Sequence, residues 1–205
     1  MPYIIRPRFV PPLAAAAASA LLAFGASAAQ ASQAQSFSTS SCVDPELSQP
    51  FLSSNDHSNY MLAPGQSEGE FSGQGWTLSG GAAIVQATLT DGSTGEVLDM
   101  PSGAKAVSPT ICVTSAYPRA RMLVRNVVGG DSVNFAVGYA GRPSWEKPKS
   151  GGDVHGEHSS WSVSAPVNMS PEHVEGWQLV QITLVAKGHA SNLQVDDLFI
   201  DPYSR

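Results

Sequence analysis

Short apolar runs separated by Gly, Pro, Asn or Asp follow one another along the chain from Cys42 onward. This pattern is typical of strands joined by turns. No window shows a long apolar stripe at helical spacing, and the one helical turn that is predicted lies at "SPEHVEGW" (residues 170–177). The predicted strands are Tyr60–Ala63, Trp76–Leu78, Ala82–Ala87, Val97–Met100, Ala106–Val107, Thr110–Val113, Arg121–Val127, Ser132–Tyr139, Trp161–Val163, Trp177–Val185 and Leu193–Ile200.

These runs predict an all-β fold, a two-sheet antiparallel β-sandwich, because about ten short strands in one domain are typical of that architecture. The run "WQLVQITLVAKG" (Trp177–Gly188) is largely apolar on both faces, so we place it at the centre of a sheet. The segment Gly141–Ser160 is the longest stretch without a strand pattern. We expect it to be a functional or mobile loop.

The chain opens with the composition of a secretory signal peptide. An uncharged, Ala-rich run over Val10–Ala29 follows two arginines, and A-x-A cleavage sites end at Ala28 and Ala31. A membrane anchor is the alternative, since the run is almost long enough to span a bilayer. The run is mostly Ala, however, and begins with two prolines. The predicted organisation is a cleaved signal peptide over 1–31, a flexible polar leader over 32–41 and a single secreted, extracellular domain over 42–205.

The chain is acidic, with a formal net charge of −6 at pH 7. Removal of the signal peptide makes it more acidic, because that segment contains two basic residues and no acidic ones. An acidic surface disfavours binding to nucleic acid or to an anionic membrane. We therefore predict neither of these partners.

Cys42 and Cys112 are the only two cysteines. In an exported chain such a pair predicts a disulfide. It would close a loop of about 70 residues, which is worth roughly 4 kcal/mol of stability. The alternatives are two free thiols or two metal ligands, and metal sites usually need further Cys or clustered His.

The last predicted strand contains two adjacent acids, Asp196 and Asp197, in "SNLQVDDLFIDPYSR". Burial of carboxylates is unfavourable unless something pairs with them. The apolar positions of this strand are odd-numbered before the pair and even-numbered after it, which predicts a β-bulge that turns both acids outward. The partners left open are a cation, an arginine or backbone N–H groups.

Arg119, Arg121 and Arg125 alternate along one predicted strand and therefore share one of its faces. Three guanidinium groups on one face can bind the carboxylate of an acidic sugar bidentately. The alternative, which we favour, is a solvated face whose arginines pair with neighbouring acids.

Sugar binding also requires aromatic faces beside polar groups. Trp145, in the polar segment "GRPSWEKPK", is the first candidate, with Trp161 and Tyr139 behind it. Trp145 can equally pack its own loop against the domain. Trp76 and Trp177 lie in strand patterns and are predicted to belong to the core.

The segment "HGEH" places His155, Glu157 and His158 close together, with Asp153 just before them. Histidines one helical turn apart are typical of zinc enzymes, but the glycines around this segment disfavour a helix. We predict a solvated loop. The alternative is a hydrolase whose site lies in the 141–160 loop.

Two segments resemble the jelly-roll carbohydrate-binding modules of the galactose-binding-like superfamily. "SEGEFSGQGWTLSGGAAIV" (Ser67–Val85) is similar to their opening, and "VEGWQLVQITLVAKGHASNLQVDDLFID" to their last two strands. The chain also resembles secreted bacterial proteins of actinobacterial type through "SQPFL", "SPTICV" and a "DD…DP" ending. The resemblance implies a secreted, non-catalytic domain that binds polysaccharide or cell-surface glycan.

The same resemblance implies a structural calcium ion, held in such modules by a carboxylate of the closing strand and one of the opening. In this chain Asp196 or Asp197 would meet Glu68 or Glu70. Calcium takes carboxylate and carbonyl oxygens as ligands, which fits these residue types. No other cofactor is predicted. Besides the hydrolase, the remaining alternative function is a structural or protein-interaction domain.

Overall fold

A computed structural model of the chain describes residues 37–117, 119–169 and 175–201. Within these ranges the backbone forms fourteen strands and two short 3-10 turns, Leu52–Ser54 and Pro143–Trp145. The strands are β1 (Met61–Leu62), β2 (Thr77–Ser79), β3 (Ala83–Thr88), β4 (Thr94–Pro101), β5 (Lys105–Val107), β6 (Ile111–Val113), β7 (Arg119–Val128), β8 (Ser132–Tyr139), β9 (Lys149–His155), β10 (Glu157–His158), β11 (Ser162–Val163), β12 (Val167–Asn168), β13 (Gln178–Ala186) and β14 (Asn192–Asp201). The described part of the chain has no helix with the length and apolar character needed to span a bilayer.

The strands form two sheets. Sheet 1 has the order β10-β7-β14-β4-β3, with β1 also beside β14 and with β11 and β12 also beside β7. Sheet 2 has the order β2-β5-β13-β8-β9, with β6 also beside β13. The pairing of β10 with β7 is parallel, and the other pairings are antiparallel. The predicted all-β, two-sheet antiparallel sandwich of jelly-roll type is confirmed.

The core lies against the alternating apolar faces of the central strands. On β7, Ala120, Met122 and Val124 are fully buried, while the residues between them are partly exposed. Burial of each such aliphatic side chain contributes about 1.5–3 kcal/mol. Strand β13 is bonded to β8 on one side and to β5 and β6 on the other. Its predicted central position is therefore confirmed.

Strand β14 contains the predicted β-bulge. Its register with β7 shifts between Asp196 and Phe199, and Asp197 has a left-handed backbone with a φ of 43°. The residues that face the core are odd-numbered before the bulge and even-numbered after it. Both carboxyl groups are nevertheless buried, so the expectation that they turn toward solvent is wrong. The loop around Gly69 reaches this bulge, since the backbone N–H of Gly69 donates to the Asp197 carboxylate.

The segment Gly141–Ser160 is not the unstructured loop that its sequence predicted, because it contains β9 and β10. Strand β9 is hidden in the sequence by its composition, "KSGGDVH", of which Val154 is the one apolar side chain. Glycine is needed at Gly151 because a Cβ there would lie 2.1 Å from the carbonyl oxygen of Asn168. The predicted helical turn at residues 170–177 lies largely outside the described residues.

The segment before β1 covers part of the surface of sheet 1 that faces away from the core. Ser48 pairs with Tyr60 in an isolated bridge, and Phe51, Tyr60 and Phe199 form a small aromatic cluster with ring centroids 5.1–6.3 Å apart. We call residues 48–60 the N-terminal cover. Cys42, which precedes the cover, is joined to Cys112 of β6 by the predicted disulfide.

Candidate functional site

Beyond the N-terminal cover, the outer face of sheet 1 carries an open cleft. Arg125 of β7 lies directly opposite Gln194 of β14 in the register of the sheet, and Gln194 lies opposite Asp99 of β4. The three residues therefore form one row across three strands. We call the cleft beside this row the outer groove; its volume is ≈ 260 Å³, and its lining residues are Gln86, Ala87, Arg125, Val127, Ser159 and Gln194.

A hydrogen-bonded network fixes the side chains of this row. The Arg125 guanidinium donates from Nε and Nη2 to the Gln194 Oε1 atom, at 2.9 and 2.7 Å. The Gln194 Nε2 atom donates to Asp99 Oδ1 at 2.9 Å. Asn192 Nδ2 donates to both oxygens of Asp99, at 3.0 and 3.2 Å. Each group is oriented by the next, so the network is pre-organised before any ligand binds.

Trp161 packs against Arg125, at one end of the network. The Arg125 guanidinium carbon lies 4.6 Å from the centroid of the Trp161 ring, which is the geometry of a cation–π contact. The indole N–H of Trp161 donates to the carbonyl oxygen of Thr88 at 2.8 Å. Trp161 therefore reaches from the β7 side of sheet 1 to its β3 edge. Of the predicted aromatic candidates named above, it is the one that contacts a residue of the groove, Arg125.

The other two arginines of β7 lie elsewhere. Arg121 is directed to the N-terminal cover: its Nη1 atom lies 2.5 Å from Asp56 Oδ2, and its guanidinium carbon lies 4.9 Å from the ring centroid of Phe51. Arg119 is exposed at the start of β7, opposite Asp201. The three arginines share one face as predicted, but Arg125 alone lines the outer groove.

Trp145 and Tyr139 are structural in this fold. Tyr139 is 2 % exposed and belongs to the core, and its hydroxyl donates to the carbonyl oxygen of Met169 at 3.3 Å. Trp145 is half-buried and packs edge-on against Phe37, with ring centroids 4.8 Å apart. The structure places Trp145 against a residue of the polar leader and not among the residues that line the outer groove.

The acid pair forms a second site, at the bulge of β14. Asp196 Oδ1 accepts a hydrogen bond from the backbone N–H of Asp197 at 3.0 Å. Asp197 Oδ1 accepts one from the backbone N–H of Gly69 at 2.9 Å. In the described ranges, neither carboxylate has an arginine or lysine within 4.0 Å. The predicted alternative of an arginine partner is therefore replaced by backbone donors.

Burial dominates the electrostatics of this pair. It raises the pKa of Asp196 to about 7, with a further contribution from the charge of Asp197. Burial likewise raises the pKa of Asp197 to about 6; the Gly69 N–H opposes this shift, and the charge of Glu68 adds to it. Both carboxyl groups therefore take up a proton more readily than exposed acids, and in the described ranges neither is neutralised by an arginine or lysine.

A calcium ion suits the chemistry of this centre, because Asp196 and Asp197 offer carboxylate oxygens and no softer ligand. Of the two acids predicted from the opening, Glu68 is close enough to raise the pKa of Asp197. Glu70 is exposed, and its Oε2 atom accepts from Ser67 Oγ at 3.4 Å. Among the described residues, no three Asp, Glu, His or Cys side chains lie close enough to share a metal ion. Of the predicted meetings between a closing-strand acid and Glu68 or Glu70, the structure brings Glu68 near Asp197. The buried carboxylates available to a cation are those of Asp196 and Asp197.

The candidate residues of the alternative hydrolase lie on β9 and β10 and are exposed. His155 closes β9, while Glu157 and His158 form β10, and all three side chains are exposed. Asp153 forms an ion pair with Lys187, at 2.8 Å, and accepts a hydrogen bond from Asn134. This segment is ordered as strands rather than as a catalytic loop.

A larger cleft, of ≈ 460 Å³, lies beside the disulfide. Its side chains are mostly apolar, including Val43, Pro45, Met61 and Ile111. A glycan site needs a few convergent polar groups as well as apolar surface. The outer groove meets that requirement, since its network supplies both donors and acceptors.

Asp99, Asn192 and Gln194 complete the network and were not predicted as site residues. One signal was present: Asn192, Gln194 and Asp196 occupy alternate positions of a strand and so share a face before the bulge. The contribution of Asp99 depends on the register of β4 against β14. That register is a property of the folded sheet and has no local sequence signal.

No model of a known protein family and no curated protein matches the sequence, so the resemblance to secreted actinobacterial proteins stays a prediction. Solved structures of carbohydrate-binding modules have a similar backbone. TmCBM61 in complex with β-1,4-galactotriose is 15% identical with a TM-score of 0.46, covering 65% of this chain and 91% of that one. The CBM22-1 xylan-binding domain from Paenibacillus barcinonensis Xyn10C is 11% identical with a TM-score of 0.48, covering 72% and 97%. With TM-scores below 0.5, these likenesses concern the fold and do not extend to a ligand.

Proposed function

We propose that this protein is a secreted, non-catalytic glycan-binding domain whose ligand lies in the outer groove. The observation that carries the proposal is the row of Arg125, Gln194 and Asp99, fixed by mutual hydrogen bonds beside the Trp161 ring. Polysaccharides and cell-surface glycans are the ligand class.

The chemistry of the network suits a sugar. A sugar hydroxyl both donates and accepts hydrogen bonds, and the groove offers the Arg125 guanidinium as a donor and the side-chain amides of Gln86 and Gln194 as donors and acceptors. Ala87 and Val127 add small apolar surfaces to the same groove. These polar groups lie on strands rather than on a loop, so the sheet already holds their geometry. Ligand binding therefore costs little conformational entropy of the protein.

The proposal includes export and a structural cation. The Cys42–Cys112 disulfide supports an oxidising compartment, where such bonds persist. The burial of Asp196 and Asp197 without a basic partner supports a calcium ion that would be held by these two carboxylates, with Glu68 nearby. A calcium ion held there would neutralise the negative charge of the two carboxylates.

Retention on insoluble polysaccharides, followed by a glycan array, tests the proposal. We expect the wild-type protein to be retained by at least one polysaccharide and Asp99→Ala and Gln194→Ala to bind about tenfold more weakly or worse, since each removes a hydrogen bond to or within the network. Arg119→Gln, on the same strand but outside the groove, is the matched control. Thermal melts check that each variant is folded.

Two results would contradict the proposal. Absence of retention by every glycan would favour a structural or protein-interaction domain, and equal binding by the groove variants would place the ligand elsewhere. Hydrolysis of ester, peptide or glycoside substrates by pure protein, lost in His155→Ala, would instead support the hydrolase alternative.

A further inference from the structure

We infer that the glycan bound in the outer groove is acidic, and that Arg125 binds a carboxylate group of one of its sugar residues. This inference rests on the proposed function and narrows its ligand class from glycans in general to polysaccharides that contain uronic acids. The evidence for it is the set of groups that contact the Arg125 guanidinium.

The positive charge of Arg125 has no ionic partner among the residues that the structure describes. Its Nε and Nη2 atoms donate to one neutral amide oxygen, that of Gln194, and one face of its guanidinium lies against Trp161. Within the described ranges, no carboxylate lies within 4.0 Å of the guanidinium, and its Nη1 atom makes no hydrogen bond. Burial is the cause that lowers the pKa of Arg125. A half-buried cation without a counter-ion is unfavourable in a free protein and favours an anionic ligand.

Arg121 provides an internal comparison. It lies four residues before Arg125 on β7, on the same face of the strand, which points away from the core. It is also half-buried and also lies over an aromatic ring, that of Phe51. Its charge, however, is matched within the protein by Asp56, at 2.5 Å. One arginine of β7 is thus neutralised by the fold, while the other lines an open groove.

Two acidic residues, Asp99 and Glu157, lie near Arg125. Neither forms an ion pair with the guanidinium edge made by Nη1 and Nη2. Asp99 is separated from it by the Gln194 amide, and both Asp99 oxygens already accept from Asn192. Glu157 lies opposite Arg125 in register but is exposed and beyond ion-pair distance. Asp99 has a positioning role: by accepting from the Gln194 Nε2 atom, it turns the amide oxygen toward Arg125 and so fixes the guanidinium.

The remaining edge of the guanidinium matches a carboxylate. The planar fork of an arginine binds the two oxygens of a carboxylate through parallel N–H···O bonds. Nη1 is uncommitted, and Nη2 retains one N–H beyond its bond to Gln194. A groove of ≈ 260 Å³ suits one sugar residue at this position, with the polysaccharide extending along the sheet surface beyond it.

The test compares a uronic acid polymer with its own carboxyl-reduced form, which has the same backbone and no charge. Affinity electrophoresis or calorimetry is run with polygalacturonate, alginate and glucuronoxylan, each beside its reduced partner. We expect the wild-type protein to bind at least one carboxylated polymer about tenfold more tightly than the reduced polymer, as a charge-assisted bidentate contact implies. This preference should fall as salt is added.

The variants locate the preference at one residue. Arg125→Gln should bind both forms equally, and Arg125→Lys, which keeps the charge but loses the planar fork, should lose at least threefold of the preference. Arg119→Gln, which alters an exposed arginine on the same strand, should keep it. If Arg125→Gln fails to fold in a thermal melt, Arg125→Lys decides the question.

The possible failures are distinct. If the wild-type protein binds neutral polymers as tightly as their carboxylated partners, or if Arg125→Lys keeps the full preference, the inference is overturned while the proposed function stands. If no polymer of either kind is retained and the glycan array is also negative, the proposed function fails and the inference fails with it.

Discussion

The Asp197 carboxylate accepts a hydrogen bond from the backbone N–H of Gly69, 2.9 Å away, although the two residues are 128 positions apart in the chain. The bond joins the loop that precedes Phe71 to the last strand at its bulge. A second contact supports it, since the backbone N–H of Leu198 donates to Gln66 Oε1 at 2.9 Å. Opening and closing segments of the domain are thus held together around two buried carboxylates.

We predict that calcium stabilises this junction. An ion that binds only the folded state adds about 2.7 kcal/mol at a hundred times its dissociation constant, which for a domain of this size raises the melting temperature by about 5–10 °C. Asp197→Asn should abolish the response, and magnesium should have little effect because it demands stricter octahedral geometry. Thermal melts with calcium, magnesium or chelator measure the effect.

The control for this experiment is Asp44→Asn, which removes an exposed acid outside the junction. It should leave the calcium response intact. A wild-type melting temperature that does not change between calcium and chelator would show that backbone N–H groups alone compensate the acid pair.

The contact between Asp56 and Arg121 should contribute more to stability than a surface ion pair. Asp56 also accepts hydrogen bonds from the Tyr60 hydroxyl at 2.6 Å and from the backbone N–H of Ser58. We expect Asp56→Asn to lower the free energy of unfolding by about 1–3 kcal/mol, since it leaves the half-buried guanidinium without a charged partner. Urea denaturation measures the loss.

Asp153→Asn is the matched comparison, because the side chains of Asp153 and Lys187 are 38% and 49% exposed. It should cost less than about 1 kcal/mol. Equal losses for the Asp56 and Asp153 variants would mean that the N-terminal cover adds nothing to the strength of the contact.

Asp56 also predicts a dependence of stability on pH. Burial opposes ionisation of this group, but the hydrogen bonds from Tyr60, Ser58 and Arg121 outweigh burial and lower its pKa from 3.8 to about 2. Between these two values the unfolded chain binds more protons than the folded one, so stability falls as the pH falls. The contribution of ionised Asp56 to the free energy of unfolding is present above about pH 4 and is lost as the pH drops toward about 2. Subtraction of the Asp56→Asn curve from the wild-type curve, measured by urea denaturation at several pH values, isolates it.

Loss of the disulfide should destabilise the fold. The bond between Cys42 and Cys112 closes a loop with a sequence separation of 70, and the double substitution to Ala should cost about 2–4 kcal/mol. Denaturant titration measures this cost. Labelling of unfolded, unreduced protein should find no free thiol, and two labelled thiols would refute the bond.

Local pattern predicted much of the fold. The alternation of β7, the central position of β13 and the bulge in β14 each follow from the spacing of apolar residues within one strand. Strand β9 could not be found in this way, because its partner β8 and the buried Val154, rather than its own glycine-rich composition, hold it in the sheet.

The candidate site was predicted less completely. Arg125 and Trp161 were recognised separately, but their contact joins positions that are 36 residues apart in sequence and that depend on how β11 pairs with β7. The link from Gln194 to Asp99 spans 95 positions and requires the register of two antiparallel strands. The chemistry of a single residue can be predicted from the sequence. A row of residues on neighbouring strands, such as Arg125, Gln194 and Asp99, can be predicted only when the register of those strands is known.

The bulge at Asp197 imposes a parity rule on the length of β14. Because β14 has one extra residue there opposite β7, removal of that residue would restore regular alternation and keep Leu198 and Ile200 in the core. Removal of two residues would turn everything after them to the opposite side, so that Phe199 would enter the core and Leu198 and Ile200 would face the N-terminal cover. A chain of this fold without the bulge should therefore be one residue shorter at this point, while the exposed Asp91–Gly92 turn accepts either parity.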